Sequence, residues 1–516
     1  MTRLTEETLT RLNADVALPR YDRRDVTTGI VHLGVGNFHR SHQAMYIDTL
    51  MNSGAAKDWG ICGIGLQPSN VAMRDALAAQ DGLYTLVIRH TDGAWDARVI
   101  GSIVEYLFAP DDPESAIEKM AAPATRIVSL TVTEGGYYLD AVTGEFNACD
   151  ESIVADLRPG AAPRTVFGLV TEALARRRAR GLPAFTILSC DNIQGNGHVS
   201  RRVFTAFARL RDRELADWMT AQVRFPNCMV DRITPKTTDE DRGELSRRFG
   251  IDDRWPVLCE PFTQWVLEDD FADGRPPLED VGVQIVPDVE PYELMKLRLL
   301  NASHQALCHP GRQVGYRFVH EVTADPLFAR FLLDYMTAEA IPTLRPVPGV
   351  DLLGYANQLI ERFSNPEVRD TVARLCANAS DCIPKFLLPV IREQLAAGRP
   401  VTRSAAVVAA WARDAEGTDE NGEPHELDDD LAPQLQAAAC RQREHPTAFL
   451  DGNRTVFGEL ADEPRFTAAY TAILTSLLDR GVRRTFADLD QYAAPGQPDR
   501  VPPVLDDLDV LERKSP

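Results

Sequence analysis

The sequence predicts an α/β domain built on a largely parallel sheet, with insertions, followed by a mostly α-helical domain. Two observations carry this reading. Over about the first 280 residues, short β-branched runs alternate with amphipathic helical windows, the pattern of parallel strands joined by helices on both faces. After Val286-Pro287-Asp288-Val289-Glu290-Pro291 the strand-like runs stop and helix-period windows take over. At 516 residues the chain is too long for one hydrophobic core, and the proline-rich stretch divides it into domains 1–286 and 287–516.

The strands of the parallel sheet are expected at Ile30–Val35, Gly60–Leu66, Arg126–Thr131 and Ala184–Cys190, each a compact apolar run bounded by turn residues. Between them, apolar residues recur with helical period near Ser41–Met51, Glu114–Ala121, Val166–Arg180 and Ser200–Arg213. Additional strand signals at Tyr84–Arg89, Arg98–Leu107 and Val257–Leu267 read as insertions around that core. In the second domain the helical windows are Tyr292–Cys308, Leu327–Ala338, Leu352–Phe363 and Phe466–Leu478. Asp414–Asp430 is acidic and glycine-containing and reads as a solvated loop, and the residues from Pro498 onward as a loosely held tail.

A formal charge of -21 argues against nucleic acid or an anionic membrane as partner, since both are polyanions. The chain has no apolar run of membrane-spanning length, and its start, Met-Thr-Arg-Leu-Thr-Glu-Glu, lacks a signal-peptide core, so a cytoplasmic protein is expected. The nine cysteines include no CxxC pair and read as reduced thiols. His39 and His42 sit three apart, yet nothing near them offers paired thiolates or an HExxH arrangement, so no metal is expected.

Ile30-Val31-His32-Leu33-Gly34-Val35-Gly36-Asn37-Phe38-His39-Arg40-Ser41-His42 places a strand before a GxGxx turn and a helix after it. Gly34 permits the tight turn, and Gly36 lets a pyrophosphate approach the free N–H groups of a helix N-terminus. His39 replaces the third glycine, so an ordinary strand-to-helix turn is the alternative. The position at the first strand of an alternating α/β pattern favours a Rossmann-like dinucleotide site. At the end of the next strand, where an acidic residue would hold the ribose of NAD, the chain has Ser69 and Asn70, with neither a carboxylate nor an arginine for the phosphate of NADP.

The second unusual stretch is Tyr292-Glu293-Leu294-Met295-Lys296-Leu297-Arg298-Leu299-Leu300-Asn301-Ala302-Ser303-His304. On an α-helix with Lys296 at zero, Asn301 falls at about 140° and His304 at about 80°, on the face that also carries Leu294, Leu297 and Leu300. A structural ion pair and a satisfied core histidine would explain one such group. Three on one apolar face favour a site, because a buried ammonium costs several kcal/mol, roughly, unless paired or turned toward a cavity.

These segments together resemble the polyol-specific long-chain dehydrogenases, and within them the bacterial mannitol 2-dehydrogenases. The resemblance runs through Gly34–His42, Thr133-Glu-Gly-Gly-Tyr137, Ser189-Cys-Asp-Asn192, Phe225–Pro235 with its Val-Asp-Arg-Ile-Thr-Pro run, and the K-x4-N-x2-H helix. It implies zinc-independent hydride transfer between carbon 2 of D-mannitol, giving D-fructose, and NAD, with NADP possible given Ser69 and Asn70. By the same resemblance Lys296 is the general base, Asn192 and Asn301 stabilise the developing alkoxide, and His304 orients the substrate. Asp231 and Arg374 would contact more distant hydroxyls, and Glu293 would pass protons between Lys296 and solvent. The cofactor candidates are Val31, Gly34, Gly36, Asn37, Phe38, His39, Arg40, Ser69, Asn70, Glu134 and Gly135. The implied partner is a small polyol or ketose, and the implied assembly a monomer.

One departure bears on the substrate: Cys382, in Asn378–Pro384, stands where such enzymes often carry a lysine. D-arabinitol and D-sorbitol are therefore alternatives within the same chemistry; D-mannonate is a further one, against which the missing cation at Cys382 argues, since its carboxylate would need one. A non-catalytic dinucleotide sensor is the alternative from another class.

Overall fold

A computed structural model describes residues 1–140 and 144–492 of the chain; the tail expected from Pro498 onward lies outside the described residues. The chain divides into two compact units, Met1–Glu290 and Pro291–Pro516.

Unit 1 is organised by five strands, β1 (Thr28–Leu33), β2 (Gly60–Gly65), β3 (Ile103–Phe108), β4 (Ile127–Leu130) and β5 (Thr186–Ser189). They form one parallel sheet in the order β3-β2-β1-β4-β5. Side chains alternate between its two faces with the strand period of two. Val31, Leu33, Ile64, Val128 and Ile187 join one apolar core with Phe167 and Val170 of the helix Val166–Ala179, while Ile30, Ile61, Ile127 and Leu188 join a second with Ile47 and Leu50. Burial on both faces explains why these strands read as continuous apolar runs.

Three expectations for this unit are corrected. Arg98–Leu107 is not one inserted strand: Trp95–Ile100 pairs antiparallel with Tyr84–Arg89, while Ile103–Phe108 is the edge strand β3, parallel to β2. The break falls at Gly101-Ser102, where the Gly101 N–H bonds the Asp48 carboxylate (2.9 Å) and the Ser102 hydroxyl the Ala44 carbonyl (2.7 Å). A buried polar dipeptide fastened to a neighbouring helix lets the chain change sheets. Val257–Leu267 likewise divides, into Val257–Cys259 beside Tyr84–Arg89 and Gln264–Glu268 beside Cys228–Asp231. The helix near Ser41–Met51 begins earlier and in two pieces, α1 (Asn37–Ser41) and α2 (Gln43–Asn52), broken at His42.

Unit 2 is helical. Its most buried element is Thr402–Asp414, apolar on nearly every side through Ala405–Ala412. The acidic run beginning at Asp414 is not simply solvated. Asp414 is fully buried at the end of that helix, where Arg312 and His309 hold its carboxylate against the unfavourable helix dipole. Burial alone would lower the His309 pKa, but the neighbouring Cys376 and Asp414 reverse that and raise it to about 9. Asp429 bonds the Ser380 N–H (2.9 Å) and hydroxyl (2.6 Å).

The window Tyr292–Cys308 is not a continuous α-helix. It comprises α3 (Glu290–Met295), a π-helical turn over Lys296–Asn301 and α4 (Ala302–Gln313). A second π turn, Met336–Ala340, follows α5 (Pro326–Tyr335). All nine cysteines are free; Cys149 in unit 1 and Cys440 in unit 2 are exposed, Cys382 is half-buried and the others are buried. No helix among the described residues is long and apolar enough to cross a membrane.

Candidate active site

In unit 1 the candidates gather on loops at the carboxyl ends of β1, β4 and β5. The strand order reverses between β1 and β4, and at such a reversal the loops diverge and leave a crevice for a ligand. Gly34, just beyond β1, has φ +91, and a Cβ there would stand 2.2 Å from the Thr131 carbonyl beyond β4. Only glycine lets the two loops approach this closely. Gly36 differs: it is exposed, and the nearest atom to an added Cβ lies 3.8 Å away. The space over the turn is therefore open, as a pyrophosphate lying on the backbone requires, and α1 presents its first N–H groups there.

His39 and Arg40 do not present their side chains to that space. His39 is buried and stacked on His32 with ring centroids 3.4 Å apart, and burial pushes its pKa well below the usual histidine value. Arg40 is fully buried, bonding the Trp255 carbonyl (2.5 Å) and Asn37 Oδ1 (2.7 Å). Any part they take in holding a cofactor falls to their backbone. Asn37 and Phe38 are half-buried, and Phe38 stacks on His42. Val31 is buried within β1. Ser69 is exposed in a 3₁₀ turn (Pro68–Asn70) just after β2, where Asn70 Oδ1 caps the Gln67 N–H (3.1 Å).

Asp191, to which the sequence reading attached no role, ties the remaining loops together. Its carboxylate accepts the Val132 and Thr133 N–H groups (3.1 and 2.9 Å) and the Tyr137 hydroxyl (2.8 Å). Burial raises its pKa to about 6 against the lowering effect of those bonds. The Glu134–Tyr137 turn is thereby fastened to the β5 loop, with Glu134, Gly135 and Asn192 all exposed. Asn196 extends the tether, bonding the Asp191 carbonyl (3.2 Å) and both backbone groups of Cys228 (2.7 and 3.0 Å). Asp231, buried, ends the same short strand, and Arg232 beside it turns to the carbonyls of Ser41 and Glu260.

In unit 2 the π turn changes the geometry expected of the lysine helix. The Ala302 N–H bonds the Leu297 carbonyl, five residues back, so the turn winds at about 4.4 residues per turn rather than 3.6. On that winding Asn301 stands about 50° from Lys296, and with α4 resuming about 100° per residue His304 stands about 10° to the other side, in place of about 140° and 80°. The three polar groups occupy one narrow stripe. Lys296, Glu293 and His304 are buried (6, 8 and 9% exposed), and the His304 ring lies 4.9 Å from that of Phe363. Asn301 is half-buried, and its Oδ1 has no hydrogen-bond partner among the described residues. Arg298, turned the other way, forms a bidentate pair with Glu393 (2.7 and 2.8 Å).

Arg374 sits on α6 (Val372–Cys376), which Gln305 Nε2 of α4 holds through the Leu375 carbonyl (3.0 Å). Its side chain is 54% exposed and paired with Asp370, four residues earlier, at the spacing of an i,i+4 pair. Cys382 is half-buried in the helix Ala379–Phe386. Cys308, His309 and Cys376 lie close enough to share an ion. Both His309 ring nitrogens are already bonded, however, to Asp414 (2.9 Å) and Gln305 (3.3 Å).

A 3-2-1-4-5 parallel sheet with a glycine turn at its reversal, carried in one chain with a helical unit bearing a buried lysine, defines a dinucleotide-binding protein of the Rossmann type. The family model for the mannitol dehydrogenase Rossmann domain matches residues 28–280, and that for the mannitol dehydrogenase C-terminal domain matches residues 288–478. The chain belongs to the mannitol dehydrogenase family. It is 49% identical to a mannitol 2-dehydrogenase of Phaeosphaeria nodorum, over 95% of this chain and 86% of that protein. It is also 49% identical to one from Aspergillus fumigatus, over 91% and 95%. Among solved structures it resembles Pseudomonas fluorescens mannitol 2-dehydrogenase in ternary complex with NAD and D-mannitol, with 47% identity, a TM-score of 0.88, and coverage of 95% of this chain and 99% of that one. A substrate-free D-sorbitol dehydrogenase matches at 38% identity and TM-score 0.83, over 94% and 100%.

Proposed function

We propose that this protein oxidises D-mannitol at carbon 2 to D-fructose with NAD, reversibly and without zinc. The observation that carries the proposal is the stripe of buried Lys296 and His304 with half-buried Asn301 in a chain 47 to 49% identical to mannitol 2-dehydrogenases. The open space above Gly36 and the exposed turn at Glu134–Gly135 fit a dinucleotide. When bound, NAD supplies the nicotinamide that accepts hydride. Lys296 takes the proton of the carbon-2 hydroxyl, a base role worth about 10²–10⁴-fold in rate. The amides of Asn192 and Asn301 stabilise the alkoxide as it forms. His304, wedged against Phe363, orients the substrate by hydrogen bonding. Glu293 returns the proton from Lys296 to solvent, and Asp231 and Arg374 bind the distal hydroxyls.

The test is the initial rate of NADH and NADPH formation with mannitol, sorbitol, arabinitol and mannonate, run beside Lys296→Ala. Mannitol with NAD is expected to give the highest kcat/KM, and the variant to lose about 10³-fold. A preference for sorbitol would move the assignment within the family. Undiminished turnover by Lys296→Ala would remove the lysine from the mechanism, and no turnover of any polyol by the parent would leave a dinucleotide-binding protein.

A further inference from the structure

The extra residue in the π turn at Lys296–Asn301 is what gathers Lys296, Asn301 and His304 onto one stripe, and π turns of this kind recur at functional sites. Such a residue cannot vanish without sliding the rest of the helix, but the turn can migrate along it, changing which carbonyl is passed over. Here the Ala302 N–H goes to Leu297, so the Arg298 carbonyl loses the donor that an α-helix would give it. The Tyr335 hydroxyl donates to that carbonyl at 3.1 Å. Tyr335 is fully buried, and burial raises its pKa, which keeps the hydroxyl protonated and able to donate.

The surroundings brace the same point. Tyr335 is the last residue of α5, immediately before the second π turn, where the Ile341 N–H reaches back five residues to Met336. Gln394 Nε2 bonds the Ala338 and Glu339 carbonyls of that turn (3.2 and 2.5 Å). Its neighbour Glu393 holds the Arg298 guanidinium, which also bonds the Thr343 carbonyl (2.8 Å). One helix, Leu388–Ala396, thus fastens both π turns.

We infer that Tyr335 is a positioning residue: its hydroxyl pins the π turn at Arg298 and so holds Lys296, Asn301 and His304 in reacting register. The inference rests on the catalytic reading of those three residues. In the full-length protein, Tyr335→Phe keeps the ring and deletes the donor. We expect kcat for mannitol oxidation to fall tenfold or more and the midpoint of its pH profile to move, with the NADH dissociation constant unchanged. Tyr335→4-aminophenylalanine restores an N–H donor and is expected to recover both. Tyr470→Phe is the control, because Tyr470 is equally buried and its hydroxyl has no partner among the described residues; it should leave kcat and the pH midpoint at parental values. A folded Tyr335→Phe protein with parental kcat and pH midpoint overturns the inference. Should Tyr335→Phe not fold, the aminophenylalanine protein decides, parental kcat supporting the inference and a tenfold loss in a folded protein overturning it. Lys296→Ala separates the two levels: if it retains turnover the catalytic reading fails, whereas if it is dead while Tyr335→Phe is parental only the positioning role fails.

Discussion

In unit 1, exposed candidates stand on loops whose geometry is set by backbone groups at the strand ends: Gly34 against the Thr131 carbonyl, and the Asp191 carboxylate against the Val132 and Thr133 N–H groups. In unit 2, buried candidates stand on one helix whose geometry depends on side chains 37 and 95 positions away, Tyr335 against Arg298 and Arg298 against Glu393. The first kind of site tolerates change around it and fails sharply at a few backbone positions. The second packs like ordinary core and fails through residues that touch no ligand. A backbone position that only glycine can fill leaves a motif in the sequence, while a side-chain brace from a remote residue leaves none.

The sharpest way to break the comparison is a pair of glycine substitutions. Gly34→Ala meets both a positive φ and the Thr131 carbonyl, so we expect a cost above about 3 kcal/mol, visible as a lowered melting temperature and lost NADH binding. Gly36→Ala meets nothing closer than 3.8 Å, so its melting temperature should match the parent while the methyl, filling the cradle, weakens NADH about tenfold. Equal melting temperatures for the two variants would refute the division of labour between these glycines.

A smaller effect is expected at Asp191. Above pH about 6 its carboxylate is ionised and accepts two backbone N–H groups of the β4 loop; protonation surrenders part of that capacity. NADH affinity should therefore fall a few-fold as pH drops through 6, and Asp191→Asn should abolish that dependence at a weaker plateau. Stability moves the other way. The folded chain binds this proton more tightly than the unfolded chain, so the contribution of Asp191 declines as pH rises from about 4 to 6. A parental pH dependence in Asp191→Asn would assign the titration to another group.

The smallest effect belongs to Arg374. With its side chain 54% exposed, its pair with Asp370 contributes little, and Arg374→Ala should change unfolding free energy by less than about 1 kcal/mol. The mannitol KM is expected to rise about threefold, the loss of one exposed contact. An unchanged KM would remove Arg374 from the substrate contacts.

Much of unit 1 was legible, since β-branched runs buried on both faces read plainly as parallel strands. The sheet change at Gly101-Ser102 was not, because Arg98–Leu107 is uniformly strand-like and only the Asp48 and Ala44 contacts divide it. In unit 2 the residue types of the lysine helix marked a site, but their placement came out wrong. A period of 3.6 put Asn301 about 140° from Lys296, and no propensity in Lys-Leu-Arg-Leu-Leu-Asn signals a π turn. Asp414 was misread for a related reason: its acidic neighbours look solvated, and the Arg312 and His309 that bury it lie about a hundred residues earlier.

The distribution of thiols offers a built-in spectroscopic ruler. Cys149 and Cys440 are the two exposed cysteines, one in each unit, while six of the remaining seven are buried and Cys382 is half-buried. A maleimide donor and acceptor should therefore attach chiefly at these two sites in the unaltered protein, with Cys382→Ser to suppress the third. Energy transfer between them would report the separation of the two units in solution, before and after NADH and polyol are added, with no cysteine introduced.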